Sequence, residues 1–109
     1  MFGFATQRRK MLEAELERFI EEMPSLGMQR MWVVGDLANG AVGAGSLLEL
    51  VVIQDTDEPF HRRADFWSIH LRPRVGTEFN VFTNAELAEL EESDPILRRA
   101  MNDGELVHG

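Results

Sequence analysis

Hydrophobic residues in the first part of the chain recur with the period of an α-helix. One apolar stripe recurs every three to four residues; its members are Leu12, Leu16, Phe19, Ile20 and Met23. The stripe predicts an amphipathic helix over residues 6–23, which Pro24 ends. Three glutamates, Glu13, Glu17 and Glu21, form a separate face of this helix, and we expect that face to be exposed to solvent.

Two short apolar runs then predict buried strands. The first, residues 28–34, is rich in β-branched and aromatic residues and stops before Gly35. The second, residues 47–53, is interrupted only by Glu49. Between them, residues 36–46 are mostly small, and the first half of that stretch is suited to a short helix.

The run 60–71 is compatible with two different elements. Its apolar residues fit the stripe of a helix, but those from Trp67 onward also alternate as they would in a strand. Pro59 suits the start of a helix, and Pro73 lies just beyond its end. We therefore favour a helix over a strand.

The rest of the chain predicts one more strand and two helices. Residues 77–82 form the strand, and Thr83 with Glu86 has the spacing of a capping box that opens a short helix. A last helix over residues 95–102 would end at Gly104. Helices and strands therefore alternate along most of the chain, an order that predicts an α/β (α+β) sheet packed by helices.

Length and composition narrow the class of protein. A chain of 109 residues predicts a single domain over residues 1–109. The lack of Cys excludes disulfides and thiolate chemistry, and it suits a cytoplasmic protein. A net charge of −8 argues against direct DNA binding. No apolar run approaches the ~20 residues that a membrane span needs.

Candidate chemistry lies in the two buried runs and the strand that follows them. A carboxylate such as Glu49 inside a buried strand is costly unless it is paired or binds a metal, and Glu78 opens the next strand. The Gly35-Asp36 turn leads from a strand into a helix N-terminus, whose free N–H groups suit a phosphate. Such a set could hold Mg²⁺ against a triphosphate. The alternative is an edge-strand Glu49 facing water, a solvated Glu78 and an ordinary glycine-rich loop.

Other polar and aromatic residues give little indication of a functional site. The three histidines show no metal-ligand spacing, and they are His61, His70 and His108. Arg62 and Arg63 are expected to be a solvated pair. Trp32 and Trp67 are expected in the core.

The spacing around Gly35 resembles the signature of the nucleotidyltransferase superfamily, and most closely that of the minimal nucleotidyltransferases related to the DNA polymerase β palm. That signature is Gly-Ser-x-Ala-Arg-Gly, five variable residues, and Ser-Asp-hydrophobic-Asp-Leu. The positions that match in register are Gly35, Ala38, Gly40, Ser46 and Leu50. Residues 78–83 resemble the strand that carries the family's third carboxylate, and residues 94–107 resemble its last helix and tail.

The resemblance implies a role for each matching position. In active members the Gly-Ser turn holds the nucleotide phosphates, and three carboxylates hold a metal pair and activate the acceptor hydroxyl. Carried over, Gly35, Asp36 and Ser46 would bind the cofactor, and Glu49 and Glu78 would hold metal. Glu78 would also be the catalytic residue, and Asp36 is a conceivable replacement for a missing metal ligand. The implied cofactors are Mg²⁺ and ATP, if the protein is active.

The chain departs from the family pattern at its most informative positions. Asp36 stands where a Ser would touch phosphate, and Leu47 replaces the first metal-binding Asp. Asn39 replaces the usual Arg, and Glu49 is one methylene longer than the Asp of the pattern. These changes indicate a degenerate member of the superfamily.

Two functions are consistent with such a chain. The first is a non-catalytic or weakly active protein that acts through a protein partner, as in a toxin–antitoxin module. The resemblance implies a small helical partner of the HEPN type, with self-association as the other option. The alternative is an active Mg²⁺-dependent enzyme that transfers a nucleoside monophosphate from ATP to a hydroxyl of a protein or small molecule.

Overall fold

A four-stranded mixed sheet with helices on both faces forms the framework of the protein, which is described by a computed structural model over residues 3–109. Its strands are β1 (Arg30–Val34), β2 (Leu48–Ile53), β3 (Thr77–Phe82) and β4 (Glu105–His108). Its helices are α1 (Phe4–Glu22), α2 (Asp36–Asn39), α3 (Phe60–Leu71), α4 (Asn84–Leu90) and α5 (Pro95–Asp103), with a 3₁₀ turn at Pro24–Leu26. The predicted fold class, a small mixed sheet flanked by helices, is confirmed.

The strand order is β3-β2-β1-β4, which places β2 and β1 in the centre of the sheet. Strand β1 runs antiparallel to both of its neighbours, whereas β2 and β3 are parallel. The parallel pair is connected through α3, because two parallel strands need a long crossover. In this register Glu49 lies between Val34 of β1 and Glu78 of β3.

Alternation along the strands divides the apolar side chains into two cores. Helices α1 and α3 cover the first face of the sheet, where Leu50 and Trp67 are fully buried. Helices α4 and α5 cover the second face, where Val51 and Leu97 are fully buried. Because neighbouring residues of a strand point to opposite faces, Glu49 and Glu78 belong to the second face.

Most predicted elements are present, with shifted ends. The run 60–71 is a helix, as favoured, and Thr83 and Glu86 form the predicted capping box of α4. The predicted first helix begins two residues earlier, at Phe4, and the first strand begins at Arg30 rather than at residue 28. These differences lie at element ends, where hydrophobic periodicity carries little information.

Strand β4 was not predicted. It has only four residues, of which Glu105 and Leu106 are exposed, so it shows no hydrophobic alternation. It forms because Trp32 and Val33 of β1 offer a free strand edge to residues 105–106 once α5 has ended. This strand therefore depends on its partner rather than on its own sequence.

Arg63 is buried, so the prediction that it is solvated was wrong. Its guanidinium forms an ion pair with Glu86 at 2.6 Å and donates hydrogen bonds to the carbonyl oxygens of Glu58 and Val81. Because Glu86 also caps α4 at Thr83, one guanidinium connects α3, β3 and α4.

A second buried charge anchors α1. Glu15 accepts two hydrogen bonds from the Arg18 guanidinium, both at 2.9 Å, and one from the backbone N–H of Arg74 at 2.8 Å. The contact joins α1 to the loop that precedes β3. Hydrogen bonding from Arg18 lowers the pKa of Glu15, and hydrogen bonding from Arg63 lowers the pKa of Glu86.

Among residues 3–109, none of the helices has both the length and the apolar character needed to cross a membrane.

The Arg63–Glu86 pair predicts a stability loss for Glu86→Gln. Gln preserves the capping box but leaves the buried guanidinium without its counter-charge, so the free energy of unfolding should fall by about 1–2 kcal/mol. Urea unfolding measures this difference. The control is Glu89→Gln, an exposed residue of the same helix, whose effect should stay within about 0.5 kcal/mol. Equal losses in the two variants would contradict a structural role for the pair.

The lowered pKa values predict a pH dependence of stability. A carboxyl whose pKa is lower in the folded state stabilises the fold fully above its ordinary pKa, which is 4.5 for glutamate. That contribution is lost as the pH falls through the lowered value. Urea unfolding between about pH 7 and pH 3 should therefore show a decline at the acid end that is shallower in Glu86→Gln. A decline of unchanged steepness in the variant would refute the assignment.

Candidate functional site

The candidate site begins where β1 ends and the backbone turns sharply. Gly35 has φ 75° and ψ −147°, a combination that is strongly unfavourable for residues with a side chain. Its carbonyl oxygen accepts a hydrogen bond from the N–H of Asn39 at 2.9 Å, which begins α2. The predicted turn glycine is therefore required by the backbone itself.

The carboxylate of Glu49 fills the space beside Gly35. A Cβ atom built on Gly35 would lie 1.7 Å from Oε2 of Glu49 and 3.0 Å from a guanidinium nitrogen of Arg99. Both side chains can occupy this position only because residue 35 has none. Glycine is therefore required at position 35 for two reasons: the backbone conformation, and the space that the charged pair occupies.

Arg99 of α5 supplies the counter-charge to Glu49. Nη1 of Arg99 donates to Oε1 of Glu49 at 3.4 Å, and the Glu49 side chain is 19% exposed against 48% for Arg99. Arg99 is a site residue that the sequence did not predict. The sequence does indicate that Glu49 needs a cationic partner, because a carboxylate in a buried strand is costly when it is unpaired. It does not indicate which of the ten arginines of the chain is that partner, because none has a distinctive spacing from Glu49.

Two further positions of the predicted site, Glu78 and Leu47, lie near Glu49 along the strands. Glu78 lies opposite Glu49 in the register of the parallel strands and is exposed, so the structure brings these two predicted site residues to neighbouring positions. Leu47 is 42% exposed, and its Cδ2 lies 2.6 Å from the position of a Cβ on Gly76. Leu47, which the resemblance aligns with a metal-binding Asp, is therefore an apolar side chain packed over a glycine.

Asp36 and Ser46 bind each other rather than joining the glutamates. The Ser46 hydroxyl donates to Oδ2 of Asp36 at 2.6 Å and accepts from the N–H of Gly43 at 2.8 Å. The guanidinium of Arg8 donates to the carbonyl oxygen of Ser46 at 2.8 Å. These bonds fold the loop between α2 and β2, so both predicted cofactor-binding side chains are engaged in loop structure.

These residues do not fit a pair of metal ions. Within the described part of the chain, no three or more His, Cys, Asp or Glu side chains are grouped so that they could hold a metal. Leu47 has no ligand atom, and the carboxylate of Glu49 already faces the Arg99 guanidinium. Mg²⁺ requires several oxygen ligands in near-octahedral geometry, and this arrangement does not supply them.

Comparison with known proteins identifies the class of fold. No protein-family model matches the chain, and no curated protein matches it either. A crystal structure of a protein from Sulfolobus solfataricus, provisionally described as a nucleotidyltransferase, matches with a TM-score of 0.64 and 14% sequence identity. The match covers 97% of this chain and 87% of the other. At this identity the likeness shows the fold, which is similar to that of a nucleotidyltransferase.

The contact at Gly35 predicts a large effect of Gly35→Ala. The new methyl group would displace the Glu49 carboxylate from Arg99, and the backbone would be strained by about 1–3 kcal/mol. Urea unfolding should show a loss of about 2 kcal/mol or more. The control is Gly40→Ala, which also has a positive φ of 70° but has no atom within 4 Å of the added Cβ, and it should lose about 1 kcal/mol. A loss no greater at position 35 than at position 40 would contradict the contact.

Proposed function

We propose that this protein has a nucleotidyltransferase fold without metal-dependent transfer activity and that it acts by binding a protein partner. The observation that carries the proposal is the Arg99 guanidinium at the Glu49 carboxylate. By its resemblance to the family signature, Glu49 is the one carboxylate left on its strand that matches a metal ligand. Its carboxylate already faces a cation of the same chain.

The charge balance around Glu49 opposes cation binding. A transferase centre of this kind needs clustered carboxylates, because its cations stabilise the attacking and the leaving oxygen. Arginine stays protonated at any pH that a folded protein tolerates, so a metal ion would have to displace Arg99 against its attraction for Glu49. Leu47 offers no replacement oxygen.

The side of the site that would hold phosphate also departs from the family pattern. Asp36 lies in the first turn of α2, where the resemblance places a phosphate-binding Ser. A carboxylate repels a triphosphate, and the net charge of −8 adds to that repulsion. Neither side of the site therefore favours magnesium–ATP.

The resemblance implies a small helical partner of the HEPN type within a toxin–antitoxin-like module. The apolar side chains that the chain leaves exposed are consistent with an interaction protein, and they include Ile69, Leu106 and Leu47. We propose this role for the chain on those two grounds together.

Thermal unfolding with and without ATP and Mg²⁺ tests the proposal. A ligand of the folded state at roughly ten times its Kd stabilises by about 1.4 kcal/mol, which raises Tm by several degrees in a domain of this size. We expect no Mg²⁺-dependent rise at millimolar ATP. The Tm of the variant Glu49→Gln should likewise not change on adding ATP and Mg²⁺, because Glu49 pairs with Arg99 rather than with a metal.

The opposite result would favour the enzyme. A Mg²⁺-dependent rise in Tm that Glu49→Gln removes would place a metal at Glu49 and overturn the proposal. Transfer of a labelled nucleoside monophosphate to a protein or small-molecule hydroxyl would then identify the active nucleotidyltransferase.

A further inference from the structure

A groove lined by both polar and apolar side chains lies between α1 and β4, on the face of the sheet opposite Glu49. We call it the α1–β4 groove. Its volume is about 380 Å³, and we call its five apolar lining residues its floor: Leu16, Ile20, Val33, Leu37 and Val107. Four of these side chains are only partly buried where they pack against the first core, so they present apolar surface to solvent.

The rim of the α1–β4 groove is acidic. Glu13 and Glu17 are exposed one helical turn apart on α1, and Glu105 is exposed across the groove at the start of β4. None of the ion pairs formed within residues 3–109 includes these three carboxylates. Arg9 is the one cation among the described residues that line the groove. The helix face that the sequence predicts to be simply solvated therefore borders an apolar surface.

Charge complementarity selects the occupant. An apolar floor between a helix and a strand edge suits an amphipathic helix, which buries its apolar stripe in such a groove. Lys and Arg side chains on the flanks of that helix lay their aliphatic stems on apolar surface and hold their charges at the rim, where they would meet Glu13, Glu17 and Glu105. A second copy of this chain would instead bring like charges together, and each copy carries a net charge of −8.

We infer that the α1–β4 groove binds an amphipathic helix of a partner protein, with apolar side chains on the floor and Lys or Arg side chains paired to the acidic rim. The inference rests on the proposed function, since it specifies where the partner binds and what its surface carries. The groove and the Glu49–Arg99 pair lie on opposite faces of the sheet, so each can be tested without disturbing the other.

Two synthetic peptides test the inference on the full chain. Both carry Leu at a helical period; one carries Lys at the flanking positions, and the other carries Glu there. We expect the Leu/Lys peptide to shift the backbone NMR signals of the groove, with Ile20, Leu37 and Val107 as reporters, and the Leu/Glu peptide to leave them unchanged. Shifts confined to another surface, such as that around the exposed Ile69 of α3, would overturn the inference.

A charge-reversal variant separates the rim from general acidity. Glu13→Lys with Glu17→Lys should weaken binding of the Leu/Lys peptide by roughly tenfold, the effect expected for two exposed ion pairs. The control, Glu91→Lys with Glu92→Lys, makes the same change of net charge at exposed positions outside the groove. An equal loss of affinity for the Leu/Lys peptide in both variants would show that the peptide binds by non-specific charge attraction, and it would overturn the inference.

Two further measurements keep the inference and the proposed function apart. Sedimentation of the chain alone should show a monomer, because two acidic rims repel each other. A dimer that Glu13→Lys with Glu17→Lys abolishes would show that a second copy binds the groove, and it would overturn the inference. If the peptides do not bind and magnesium–ATP does not bind either, only the groove assignment fails. If magnesium–ATP binds through Glu49, the proposed function fails whatever the peptides do.

Discussion

The central strand β2 imposes the constraint on which the rest of the structure depends. It is hydrogen-bonded to a strand on each side and covered by helices on each face, so its five apolar residues are fully buried. A residue in such a strand can point only into one core or the other. Glu49 therefore directs its carboxylate toward the α4–α5 side, where it needs both room and a counter-charge. Gly35 provides the room, and Arg99 provides the charge.

The same sheet separates two surfaces of different chemistry. Glu49 lies on one face, where it forms an ion pair with Arg99, and Asp36 and Ser46 bind each other in the loop between α2 and β2. The α1–β4 groove lies on the other face, where apolar and acidic side chains stay open to solvent. The Glu49–Arg99 pair and the groove are therefore separated by the sheet, because neighbouring residues of a strand point to opposite faces.

The elements that could be predicted from the sequence are those whose ends carry a chemical signal. Pro59 and Pro73 decided between helix and strand for α3, and Thr83 with Glu86 located the start of α4. Strand β4 carried no such signal, since it owes its conformation to the free edge of β1. For the candidate site, motif spacing selected Gly35 and Glu49, and the local strand pattern selected Glu78, but their assignment to a cofactor or metal stays a prediction.

By itself the sequence determined the order of the helices and strands as far as α5, the fold class and the glycine turn, because periodicity, capping and turn chemistry act over a few residues. Only the tertiary structure decided which charges meet. Glu49 and Arg99 are 50 positions apart, and Arg63 and Glu86 are 23 apart; no local pattern relates either pair. Such contacts follow from strand register and from the placement of α3, α4 and α5 on the sheet, so a carboxylate that resembles a metal ligand in the sequence is, in the folded protein, one half of an ion pair.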